Sequence, residues 1–238
     1  MNDEIFTEIK KLTVGQGKII LTQGLIAKEV IIQHRLRMDC WTGTKRTKIE
    51  QRSFKDSLAA YYERINASHP NKLKCMIMEE YFPFHQVRAA HIWKYSTNGV
   101  GLFDFNLKEN DVNCERNGLL LAEAIEEAFD VKKVCFLVNP LDPEKIILKV
   151  LDPSILLSVV CPGVATKFED IDGAQLMHPD GKIPYRRILH WHARLSYNAA
   201  IKRGWIENSE TFTNYFDLSI GGSIPDFSIY QDNVDSII

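Results

Sequence analysis

The 238-residue sequence has no run of about 18 apolar residues, so no membrane-spanning helix is expected. It has no internal repeat and no low-complexity stretch, and 13 glycines with 9 prolines are too few for a collagen-like or linker-rich chain. It lacks any CxxC pair, and its five cysteines, at 40, 75, 114, 135 and 161, are odd in number. That excludes a zinc ribbon and a fully paired disulfide framework and points to reduced thiols, with Cys75 and Cys135 buried in apolar runs. The first eleven residues are acidic before they are apolar and lack the basic and hydrophobic regions of a secretory leader, so an intracellular setting, cytoplasm or nucleus, is expected. A cationic excess is missing too: 29 Lys and Arg stand against 31 Asp and Glu, for a net charge of −2. Taken whole, that balance disfavours a partner rich in phosphate.

The distribution of charge changes this picture. No Lys or Arg follows Arg203, whereas residues 204–238 hold six acids, Glu207, Glu210, Asp217, Asp226, Asp232 and Asp235, which leaves residues 1–203 at +4. With 45% hydrophobic residues the chain has ample material for a core, so the reading is a basic globular body with an acidic end. Pattern shifts divide it at about 1–70, 71–203 and 204–238. In the first region β-rich runs, 18–22 and 29–37, precede a basic stretch and an amphipathic helix from about Ser53 to Asn66. Lys45, Arg46, Lys48, Arg52 and Lys55 form a basic cluster there, able to position a phosphate backbone, although such clusters more often mark a solvated face. In the second, Lys74–Met78 and Val87–Trp93 read as a strand hairpin, 94–116 as an irregular loop, and Gly118–Phe129 as a helix capped by Asn117. Strands at Val134–Val138 and Lys145–Leu151 follow, then turns at Asp172-Gly173 and Asp180-Gly181 and a helix from about Tyr185 to Arg203. The expected class is α+β.

The chemistry concentrates in Ala89-Ala90-His91-Ile92-Trp93, then Arg116-Asn117-Gly118-Leu119-Leu120-Leu121, then Ile125-Glu126-Glu127-Ala128-Phe129-Asp130. A neutral imidazole activates water near neutral pH because its ordinary pKa is about 6.5. Asn117 and Glu126 stand nine positions apart, and Asp130 lies one turn beyond Glu126 as an alternative carboxylate. Arg88, Lys94 and Arg116 flank these residues, and Arg186, Arg187, His190 and Arg194 fall at helical spacing as a second basic stripe. His192, two positions from His190, faces another way and reads as a packed, hydrogen-bonded histidine.

This succession resembles the HNH endonuclease family, most closely its branch without a zinc ribbon, over about 71–152, with Leu189-His190-Trp191-His192 similar to an element near the end of such domains. The resemblance implies a ββα-metal core and metal-dependent hydrolysis of phosphodiesters, in DNA rather than RNA. It makes His91 the general base, Asn117 and Glu126 catalytic and metal-binding residues, and Mg²⁺ or Mn²⁺ the cofactor. Arg88, Lys94, Arg116, Arg186, Arg187 and Arg194 are then the expected nucleic-acid contacts. Two positions depart from the family: Glu126 stands where histidine is usual, and Ala90 where many members have an acidic ligand. A catalytically silent module binding nucleic acid or a protein is the alternative. The expected partner is DNA and not a membrane, and the oligomeric state stays open, a homodimer being one option.

Overall fold

The computed structural model describes residues 46–65, 68–69, 71–139, 142 and 144–207. The expected strands at 18–22 and 29–37, Lys45, Cys40 and the acidic segment beyond Glu207 lie outside the described residues. No described helix is long and apolar enough to cross a membrane.

Helix α1 spans Lys48–Tyr61. Its start lies five residues ahead of the one expected at Ser53, because Thr47 and Glu50 form a reciprocal cap. Glu50 N donates to Thr47 Oγ1 (3.2 Å) and Thr47 N donates to Glu50 Oε2 (2.7 Å). Phe54 and Leu58, one turn apart, face inward and pack across strands β3 and β4.

Strands β1 (Lys72–Lys74) and β2 (Tyr81–Pro83) form a small antiparallel hairpin. Strand β3 (Val87–His91) pairs instead with β4 (Gly118–Ala122), in a register that sets Val87 against Ala122 and His91 against Gly118. The expected pairing of 74–78 with 87–93 is therefore incorrect. So is the helix over 118–129: its first five residues are strand, and helix α2 covers Glu123–Asp130. All of Gly118–Ala122 is buried, and a continuous apolar run covered on both faces carries no period by which strand and helix differ.

Strands β5 (Val134–Val138) and β6 (Ile146–Val150) pair antiparallel close to their expected bounds. A one-turn helix α3 (Phe168–Ile171) follows, and α4 (Arg186–Lys202) packs along β5. Gly173 and Gly181, at the two expected turns, have positive φ of 86° and 73°. Helices thus mix with small antiparallel strand pairs, an α+β arrangement. One hydrophobic core draws Phe54, Leu58 and Tyr62 together with Leu119–Leu121, Phe129, Phe136 and Tyr197.

Gly118 decides how closely α1 approaches. A Cβ there would sit 2.7 Å from Leu58 Cδ2 and 2.8 Å from Phe54 Cζ, inside van der Waals contact. Gly118→Ala is expected to destabilise the fold by about 1–3 kcal/mol through overpacking, read as a lower urea midpoint with an unchanged slope. An unaltered midpoint would show that α1 yields at no cost.

Candidate active site

Helix α1, strand β3 and the start of α2 enclose a cleft of about 910 Å³. Its lining includes His91 and Ala89 from β3, Glu123 and Glu126 from α2, and Lys48, Arg52, Phe54 and Lys55 from α1, with Arg46 just before that helix. Lys48, Arg52 and Lys55 recur at four- and three-residue spacing, so the helix that buries Phe54 and Leu58 turns a cationic face to the cleft. With Arg88, five cations meet two carboxylates in this lining. One of the carboxylates, Glu123, is ion-paired with Arg88.

His91 is stacked on Phe54 (centroids 4.1 Å apart, planes at 11°), with Tyr95 tilted 6.0 Å away. Its Nε2 is buried and has no hydrogen-bond partner among the described residues. Burial, and then the Arg46 charge, push its pKa down to about 3, so the ring is neutral at physiological pH. Glu126 moves the opposite way. Burial and the neighbouring Asp130 raise its pKa to about 7, against a smaller lowering by Arg88. Lys55, whose Nζ donates to the Phe84 carbonyl and lies 3.8 Å from the Phe84 ring centroid, is lowered to about 8 by burial and by Arg88.

Asn117 is packed inside the protein. It is 0% exposed, and its side chain is committed to the loop that follows His91. Its Oδ1 accepts from Trp93 N (2.7 Å), and its Nδ2 donates to Trp93 O (3.0 Å) and Val112 O (2.9 Å). Asn117 is absent from the cleft lining, and these three bonds engage both ends of its amide. It closes the 92–117 segment on itself just beyond the end of β3. It is not a helix cap, because a strand follows it.

Among the expected nucleic-acid contacts, only Arg88 lines the cleft. Arg116 donates from Nε to Ile183 O (2.9 Å) and lies 4.6 Å over the Tyr185 ring, clamping the segment that leads into α4. The expected stripe on α4 is not an open basic face. Arg186 is 9% exposed and His190 2%, Arg187 donates to Phe105 O (3.0 Å), and Arg194 is half-buried, because α4 is a core helix. Lys94 is exposed and acts electrostatically on Lys132 and His192, apart from the cleft lining. Asp130 is exposed and likewise absent from that lining. His192 is the packed histidine expected: it stacks on Phe129 (3.8 Å), and its Nε2 lies 3.2 Å from Phe129 O.

The 45–55 cations read in the sequence either as phosphate-backbone contacts or as a solvated face; Arg46, Lys48, Arg52 and Lys55 line the cleft, with Lys48 and Arg52 exposed. Their helical spacing was visible, but not which surface they would meet. His85 and Tyr95, also in the lining, carried no signal in the sequence.

Residues 75–137 match the HNH endonuclease family. No curated protein is similar enough to this chain to be matched. The HNH segment contains β2, β3, β4 and α2, hence His91, Asn117 and Glu126, but neither α1 nor α4. Among the described residues no three His, Cys, Asp or Glu side chains converge as a metal cage. The matched segment therefore offers a divalent ion the Glu126 carboxylate. This sparse donor set fits a hard ion that keeps most of its water, such as Mg²⁺, and does not fit a dehydrated structural ion.

Proposed function

We propose that the cleft is the active site of a divalent-metal-dependent endonuclease acting on DNA, built on a ββα-metal core made of β3, β4 and α2. The observation that carries this reading is the meeting, in one cleft, of a neutral histidine whose buried nitrogen lacks a partner, a carboxylate with a raised pKa, and a wall of cations. Hydrolysis needs a base for water, neutralisation of the phosphate and support for the leaving alkoxide. Each need finds a residue type here.

His91 takes the proton of the attacking water at Nε2. Its low pKa makes it a weak base in the free protein. The second of its two causes, the Arg46 charge, is offset when a phosphodiester anion enters beside the ring, because the negative charge favours the imidazolium. Glu126 would hold the metal with water and phosphate oxygens completing its shell, and Mn²⁺ would serve as well as Mg²⁺. Such an ion supplies positive charge to the phosphate and to the departing oxygen. Asn117 holds the loop behind His91, and Arg88, Arg52, Lys55 and Lys48 contact the phosphate backbone without reading bases.

With one carboxylate as its main protein ligand, the ion binds weakly in the absence of substrate. Nicking of supercoiled plasmid is expected to require roughly millimolar Mg²⁺, or Mn²⁺, and to vanish in EDTA. Activity that survives exhaustive EDTA treatment would reject the metal mechanism, and absence of nicking across metals and salts would favour a silent nucleic-acid-binding module.

A further inference from the structure

Two cleft-lining residues carry a buried polar atom with no hydrogen-bond partner among the described residues: His91, at Nε2, and Arg46, at Nη1. Both side chains lean on the same ring. His91 stacks on Phe54, and the Arg46 guanidinium carbon lies 4.4 Å from the Phe54 centroid and 4.2 Å from that of Tyr95. The other terminal nitrogen of Arg46, Nη2, donates to Asn113 Oδ1, on a turn of the loop that leads from β3 to β4. The guanidinium is thus oriented by two aromatic rings, by Asn113 and by a side-chain hydrogen bond with Tyr95, while its buried Nη1 has no partner among the described residues. A cationic N–H without an acceptor is costly, and an anionic oxygen removes that cost.

We propose that Arg46, which lies outside the matched HNH segment, grips the substrate phosphate beside His91. The proposal rests on the reading of the cleft as a nucleic-acid site. Arginine suits the task where lysine does not: its planar fork bonds Asn113 and a phosphate oxygen together, while its faces stay against Phe54 and Tyr95. Lys48, Arg52 and Lys55 then extend the track along the strand, so the phosphate-binding wall comes from α1 and the hydrolytic residues from the HNH segment.

The test is binding of an end-labelled DNA duplex by the full chain in EDTA, followed by fluorescence anisotropy across a salt series. Arg46→Gln is expected to weaken binding roughly tenfold and to lower the slope of log K against log salt by about one, because one phosphate contact is lost. Arg46→Lys keeps the charge and is expected to restore the slope while leaving the affinity below that of the wild type, because lysine cannot bond Asn113 and the phosphate together. A packing role would predict otherwise, since lysine rebuilds neither the stacked plane nor the Asn113 bond and would behave like glutamine. Thermal melts verify folding, and Arg46→Met, with a long apolar stem between the two rings, replaces the glutamine variant if that one does not fold. An unchanged slope and affinity in a folded Arg46→Gln or Arg46→Met protein, or no DNA binding by the wild type, overturns the proposal. If nicking persists in those cases, the nuclease reading stands without Arg46. If binding depends on Arg46 but the wild type nicks nothing, the hydrolytic reading alone fails.

Discussion

Acidification from about pH 7 to about pH 5.5 is expected to lower the folding stability by about 2–3 kcal/mol. Three histidines, His91, His190 and His192, are held at a pKa of about 3, each chiefly by burial, with Arg46, Arg194 and Lys132 respectively adding repulsion. The unfolded chain protonates them near their ordinary value of about 6.5, whereas the folded chain does not. Their contribution is therefore complete above that value and is lost as pH falls toward 3. Glu126 acts in the opposite sense. Its folded pKa of about 7 lies above the ordinary carboxylate value, so the stability it contributes is present at low pH and lost as pH rises through 7. Between pH 6.5 and 4.5 three histidine protons oppose one carboxyl proton, so unfolding takes up about two protons net, or roughly 3 kcal/mol per pH unit. Urea midpoints at the two pH values measure this, and a midpoint that holds or rises on acidification would mean that the imidazoles are solvated or paired with an acid.

Replacement of His91 has the larger expected effect on activity. A positioned general base typically accounts for about 10²–10⁴ in rate. In this cleft no other residue replaces it readily: Glu126 is the carboxylate proposed to hold the metal, Glu123 is paired with Arg88, and His85 is exposed. His91→Ala also removes a ring stacked on Phe54 and relieves repulsion with Arg46. DNA binding in EDTA is therefore expected to persist while cleavage is lost. That separation distinguishes a base from a residue that merely shapes the cleft.

His91 and Glu126, which both line the cleft, could be singled out as candidates in the sequence because the order and spacing of their motifs do not depend on packing. The strand character of Leu119–Leu121 was not legible, since a run buried on both sides looks alike as helix or strand until its partner, β3, is known. Asn117 misled for a related reason. A polar residue before glycine reads equally as a helix cap or a loop clip, and only the positions of Trp93 and Val112 decide between them. Lys48, Arg52 and Lys55 showed their common helix face, but their destination depends on Phe54 and Leu58 settling over Gly118, a contact distant in sequence. The α4 stripe failed in the converse way: Arg186 and His190 have helical spacing on a helix that the core claims. Arginine and histidine at regular intervals show a shared face and say nothing of what that face meets.

The account turns on cleavage chemistry at His91. Single-turnover nicking of supercoiled plasmid at saturating Mg²⁺, with wild-type and His91→Ala proteins purified in parallel and matched in thermal melting, tests it most directly. The rate is expected to fall by about 10²–10⁴-fold in the variant. Rates agreeing within about threefold would contradict the assignment of His91 as the base.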